Sequence, residues 1–471
     1  MAEKKSKGQK LAEELLSKPK SLGEKGLKFF EEASKFCEGY KDFLANKTER
    51  EAVEYVIPIL KKHKYTEYVP GKKYKAGEKF YMVNRGKDIL MCTKGKKPVS
   101  EGIRVAVAHL DSPRLDFKPH PLFEDGEMVY FKTHYYGGIK KYQWTTVPMS
   151  IRGVVMTKDG KKVTINVGEN DDDPSFIITD LLVHLARDQM QKTASKVVEG
   201  EQLNLLIGSW PFDDKEVSQK VKLAIMNILH QKYGIVEDDF ESAELCAVPA
   251  FKARDLGFDR SLIAGYGQDD SSCAYAEFMA EINTKNPEYT TLTIFADKEE
   301  TGSDGVTGMA SCFFRDFVED LAQAEGCEVR HVMRKSLCLS ADVGAGYDPA
   351  WPEVFERNNC AFMNYGPILS KYDGAGGKYS TNDASAEVVN YLHKILRDAD
   401  VTWQMGELGK IDVGGGGTIA SYISLNNIDT IDIGVPVLSM HAPVEVVAKA
   451  DEYMLYKAIY AVYNSKLPKE I

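Results

Sequence analysis

The sequence predicts a mixed α/β protein in two parts, an α/β part with a mainly parallel sheet interrupted by a mainly antiparallel one. Three observations lead there. A chain of 471 residues exceeds what one ordinary core organises, so two domains are expected. Apolar, β-branched runs alternate with amphipathic segments over the last two hundred or so residues, which implies a mainly parallel sheet with helices on both faces. From about residue 118 to 254 the texture changes to short alternating runs, and the α/β texture then resumes. The expected division is therefore a discontinuous unit, 1–118 and 255–471, with a second unit, 119–254, inserted into it.

The elements follow in order. Phe29, Ala33, Phe36, Tyr40 and Phe43 recur at steps of four and three, as do Val53, Val56, Ile57 and Leu60. Each set lies on one helical face, and Pro58 marks a place where the second helix can kink. Ile103–His109 is rich in β-branched residues and reads as a strand. Val129–His134 reads likewise, and Gly153–Met156 with Lys162–Val167 form a hairpin about Asp159-Gly160. The spacing over Ile178–Gln191 predicts an amphipathic helix carrying His184. Beyond the insertion, Thr291–Ala296, Ser336–Ala341 and Thr430–Leu438 are apolar strands, and helices are expected at Cys273–Ile282, Gly308–Ala324 and Ala384–Asp398.

Composition narrows the class. With 43% hydrophobic and 28% charged residues, the chain falls in the globular range. A net charge of −10 argues against nucleic acid as the main partner, since phosphate binding needs a basic surface. No apolar run is long enough to cross a membrane. The basic start, MAEKKSKGQKLAEELL, lacks the apolar core of a secretory signal, so a cytoplasmic location is expected. Eight cysteines are scattered without a CxxC pair. They read as reduced thiols, and any metal falls to histidine and carboxylate.

Polar, metal-competent residues stand where apolar strands stop, and in α/β sheets ligands bind beyond the carboxyl ends of the strands. The segments are AHLDSP (His109, Asp111), GYGQDDSS (Asp269, Asp270), FADKEETGSD (Glu299, Glu300), LSADVGAG (Asp342) and VLSMHAP (His441). Alone, each is more often a turn cap, a satisfied core histidine or a solvated helix start. Together they suit a borderline ion such as zinc. Three carboxylates crowded at one spot would otherwise repel and take up protons. Glu299 cannot easily aim at the same ion as Glu300, which leaves it free to accept a proton from water. Asp111 either orients the His109 imidazole or caps the turn before Pro113.

At these residues the sequence resembles a known family. AHLDSPRLD, QDDSS, ADKEETGSDG, SADVGAG, KYSTNDAS and MHAPVE, in this order, resemble the M18 metallopeptidases, which include aspartyl aminopeptidase and vacuolar aminopeptidase I. The likeness runs from about residue 10 to the C-terminus and points to a bacterial branch. It implies a zinc-peptidase-like fold, with the inserted unit serving as a dimerisation domain, and a site with two zinc ions per subunit, cobalt or manganese being alternatives. His109 and Asp342 would hold one ion, Glu300 and His441 the other, and Asp269 would bridge. Glu299 would be the general base and Asp111 the residue behind the ligands. It further implies peptide substrates and a tetrahedral dodecamer of dimers in which a histidine, best matched by His184, enters the neighbour's site.

The acidic-preferring members carry a histidine-containing stretch after the metal-binding aspartate, whereas Gly344–Pro349 has none. Lys371 and Lys378 are the remaining candidates to meet an acidic group, with solvated loop lysines the equal alternative. Gly415, in the run Gly414–Gly417 ahead of an apparent helix, either brings backbone N–H groups to a substrate or serves packing alone. Two other readings stay open: a metal-dependent deacylase or carboxypeptidase of related fold, and a non-catalytic metal-binding shell protein.

Overall fold

The computed structural model describes residues 5–374 and 376–469. Its frame is a nine-stranded sheet. Four central strands, Thr290–Ala296, Ile103–His109, Leu337–Ala341 and Asp429–Gly434, lie side by side and parallel. The flanks depart from the parallel expectation. Asp88–Thr93 is antiparallel to Thr290–Ala296 and to Lys79–Asn84, and Ile368–Ser370 is antiparallel to Asp429–Gly434. The short link between Lys79–Asn84 and Asp88–Thr93 allows only a hairpin, because a parallel crossover needs a dozen or more residues.

Side-chain alternation assigns each central strand to two layers. Ala106 and Ala108 enter a core shared with helices Leu27–Phe43, Gln268–Asn283 and Lys449–Asn464. Val105 and Val107 face the opposite layer, under Phe313–Ala324 and Val329–Lys335. A strand buried on both faces has to be apolar throughout, which is why Ile103–His109 reads as a continuous run. Leu27–Phe43 buries Phe29, Ala33, Tyr40 and Phe43 as its spacing predicts. Glu49–Lys62 is capped by the Thr48 hydroxyl and runs on through Pro58.

A second sheet takes its seven strands from 114–249. Ala243–Pro249 pairs with both Arg114–Asp125 and Pro148–Met156, which closes six of the strands into a ring. This sheet has its own core, including Phe131, Trp144 and Val155, and the hairpin turns at Gly160 with φ 80°.

Two expectations fail here. Ile178–Gln191 is not a helix: a three-residue strand ends at Ile178, and short 3-10 turns follow at Val183–Leu185 and Gln189–Gln191. Leu182, Val183, Leu185 and Met190 are 55 to 79% exposed. The apolar face that spaced them has nothing in the protomer to pack against, and packing is what holds most helices together. Thr430–Leu438 is not one strand either. It breaks at Val435, and Pro436–Leu438 joins a third, five-stranded sheet. That sheet sets Gly265 opposite Glu445 and so brings the Gln268–Asn283 helix start beside the His441 loop.

Candidate metal centre

The parallel register fixes where the polar residues emerge. His109 pairs with Ala296 at the carboxyl end of its strand, and Glu299 and Glu300 follow three and four residues later. Asp342 comes directly after Ala341. Asp269 lies at the start of its helix, and His441 on the loop before Glu445–Ala448, with a left-handed backbone, φ 63°. Such a backbone costs a residue other than glycine on the order of 1 kcal/mol and marks a position that the surroundings enforce.

Asp269 is the centre of the cluster. Its Oδ1 lies 3.2 Å from His109 Nε2 and its Oδ2 lies 3.1 Å from His441 Nε2. Asp342 Oδ1 stands 3.8 Å from His109 Nε2, and Glu300 Oε1 stands 3.4 Å from His441 Nε2. The adjacent glutamates diverge, since Glu299 Oε2 is 4.0 Å from His109 Nε2 instead. Both imidazoles are oriented in the same way. His109 Nδ1 donates to the Asp111 carbonyl at 2.8 Å, and His441 Nδ1 donates to the Gly138 carbonyl at 2.6 Å. A carbonyl oxygen only accepts, so Nε2 of each ring is left for an ion.

The donor set fits a cation. Two groups of ligand atoms, from His109, Asp270 and Asp342 and from His109, Asp269 and Glu300, lie within 4.8 Å of one another. Glu300 Oε1 and both Asp270 oxygens are buried without a hydrogen-bond partner. Burial pushes the Asp342 carboxyl up and carries Glu299 to about 8. Burial and the neighbouring Asp269 charge hold Glu300 well above its usual range too. Burial opposes charge on the histidines, yet contacts with Asp111, Asp269 and Asp342 hold His109 well above its usual range. Hydrogen bonding to Asp269 and the Glu300 charge carry His441 to about 10. Without a cation the cluster gathers protons in its place.

Asp111 does something the sequence does not announce. Its carboxylate is 3.5 Å from His109 Nδ1, while its backbone carbonyl makes the shorter bond. The carboxylate instead accepts from the Glu299 and Glu300 main-chain N–H groups, at 3.1 Å each, and from the Tyr136 hydroxyl at 2.7 Å. Glu445 plays a matching part: it accepts from His441 N at 2.7 Å, Gln268 N at 2.7 Å and Asp269 N at 3.2 Å. Tyr136, Glu445 and the Gly138 carbonyl were not singled out from sequence. Tyr136 stands in no motif, Glu445 closes the MHAPVE segment without a role that spacing assigns, and a carbonyl contact has no side-chain signature at all.

A cavity of about 480 Å³ opens beside the cluster and includes Gly415 in its wall. Lys371 and Lys378 do not line it. Lys378 turns to Asp383 at 3.1 Å and lies 3.6 Å over the Tyr372 ring. His184 is exposed on its 3-10 turn and is also absent from the wall.

With this geometry in hand, comparison with known proteins is direct. Residues 43–463 match the family described as aminopeptidase I zinc metalloprotease (M18). A Clostridium acetobutylicum protein named probable M18 family aminopeptidase 1 is 48% identical over 435 residues, 90% of this chain and 94% of its own. The solved M18 aminopeptidase of Thermotoga maritima superposes with a TM-score of 0.91 at 39% identity, covering 95% of this chain and 99% of that one. A structure described as the S. cerevisiae mApe1 dodecamer shares the fold, with a TM-score of 0.73 at 21% identity over 94% of this chain and all of that one. The chain belongs to the M18 family of zinc metallo-aminopeptidases.

Proposed function

We propose that the chain removes single residues from the N-termini of peptides at a site holding two zinc ions. His109 and Asp342 would hold one ion, Glu300 and His441 the other, and Asp269 would bridge. The observation that carries this reading is the split of Asp269, whose two oxygens face two imidazoles from distant stretches of chain. Zinc in such a site lowers the pKa of the attacking water toward about 7 and polarises the scissile carbonyl. Glu299 takes the water's proton and returns it to the leaving amine; its carboxylate stands beside the cluster on the His109 side. Asp111 holds the amides of Glu299 and Glu300 in place, so base and ligand keep a fixed relation.

The inserted unit, 119–254, would pair chains into dimers and build a dodecamer, the state of the yeast neighbour. The exposed Leu182, Val183 and Leu185 suit burial in such a contact. His184, between them, would then enter a partner's site and help to stabilise the oxyanion. A cytoplasmic setting agrees with eight unpaired cysteines.

The test compares free and N-acetylated peptides, with and without a chelator, alongside metal analysis. Cleavage confined to free amines, lost on chelation and accompanied by two zinc ions per chain, is expected. Equal turnover of blocked peptides would turn the reading into a deacylase, and activity indifferent to chelation would remove the metal from it.

A further inference from the structure

The cavity wall carries six carboxylates and, among the described residues, no lysine or arginine. Four of them, Asp269, Glu299, Glu300 and Asp342, belong to the metal cluster, where bound cations answer their charge. Asp373 and Asp432 do not. They line the part of the cavity built from the strand Asp429–Gly434 and the glycine-rich loops.

Both are held in place by their neighbours. Asp432 pairs in register with Ser340 on one side and Ser370 on the other. It is 3% exposed, and its Oδ1 accepts from the Thr418 hydroxyl at 2.7 Å. Its Oδ2, although buried, has no hydrogen-bond partner. Such an oxygen is costly to keep dry and awaits a donor. The Asp373 main chain is pinned from two sides: its N–H donates to Thr381 Oγ1 at 2.9 Å, and its carbonyl accepts from Gly416 N at 3.1 Å. That fixes the carboxylate of Asp373 at the wall while Gly415–Gly417 close the loop around it. Ile368 and Leu408 line the same cavity and offer apolar surface to a methylene stem.

We propose that this part of the cavity receives the first side chain of the substrate peptide and selects a cationic one, lysine or arginine, with Asp373 meeting the charge and Asp432 standing behind it. The inference rests on the aminopeptidase reading, since it takes the bond next to the first residue to lie at the metal cluster. Its physical basis is a low-dielectric wall that offers carboxyl groups and, among the described residues, no lysine or arginine, so that an incoming cation gains far more than it would in water and an acidic side chain finds no partner. The two lysines that sequence offers to an acidic substrate lie outside the wall.

Two readouts test it on the full-length zinc-loaded protein. The first is kcat/KM for dipeptides with Lys, Arg, Leu, Asp or Glu in first position. Lys and Arg should exceed Leu by about tenfold, with Asp and Glu slowest. In Asp373→Asn the Lys-to-Leu ratio should fall toward one, chiefly through KM, and Asp373→Lys should raise the acidic substrates relative to Lys. The second is calorimetric binding of free L-lysine, L-leucine and L-aspartate to Glu299→Gln protein, which needs no turnover. Lysine should bind tightest, and Asp373→Asn should remove that advantage. Lysine preference in binding with no cleavage of any free-amine peptide would uphold the pocket and sink the aminopeptidase reading. Leucine or acidic residues favoured in either assay, or a ratio untouched by Asp373→Asn, would overturn the pocket while leaving the aminopeptidase intact.

Discussion

At the scale of single residues, two acids outside the proposed ligand set carry the sharpest predictions. Glu299 is the base in the reading above, so Glu299→Gln should lower kcat by roughly 10²- to 10⁴-fold while zinc content stays unchanged. Full activity in that variant would move the proton to another group. Asp111→Ala would strand two part-buried amides and the buried Tyr136 hydroxyl. Each unsatisfied group costs about 1–3 kcal/mol, so chemical denaturation should show a loss of several times that of Tyr136→Phe. Equal losses would mean that Asp111 is merely buried, not a clamp. His109, Glu300 and Asp342 were legible in the sequence because a parallel sheet delivers strand ends to one rim, and polar residues after apolar runs mark that rim. Asp432 was not, and Glu445 stood out only as the last residue of MHAPVE, with no role attached. Inside a strand or loop, a lone acid looks the same whether it faces solvent, an amide or a cavity.

At the scale of elements, close packing rather than side-chain chemistry sets the ligand positions. Gly434 ends its strand against the Asp342 backbone, and a Cβ there would overlap the Asp342 carbonyl oxygen. Gly434→Ala should therefore cost roughly 1–3 kcal/mol and weaken zinc retention, because the strain falls on the backbone of Asp342, a proposed ligand. A variant with unchanged unfolding and metal content would show that the loop relaxes freely. The central strands and the amphipathic helices were readable because both faces of the sheet are covered within one chain, so period and burial agree. The region Ile178–Gln191 was misread for the opposite reason: its apolar residues follow a helical spacing but meet no partner inside the protomer. The break at Val435 lies between Gly434 and Pro436, two residues that interrupt strands, but the apolar run continues through them and hides the change of sheet.

At the scale of the whole molecule, the clustered acids and imidazoles tie stability to pH. In the metal-free chain, His441 is raised from 6.5 to about 10 and Glu299 from 4.5 to about 8, and His109 and Glu300 shift upward as well. Each of these groups binds protons more tightly folded than unfolded. The folded state thus holds more protons, and stability falls as pH rises from about 4.5 through about 10. Thermal unfolding in chelator should show that decline, and zinc-loaded protein should show a much flatter profile. A flat profile in both would mean that the cluster is not the proton store. Introducing charge at the exposed apolar turn, as in Val183→Asp, should shift sedimentation from a large particle toward smaller species. If the mass is unaffected, that face is no interface. The His441 imidazole, meanwhile, leans on the Gly138 carbonyl, which hangs from the end of the second sheet's strand Met128–Tyr136. Displacing that sheet would move the acceptor that aims the ring, so an imidazole on the rim of one sheet takes its bearing from another.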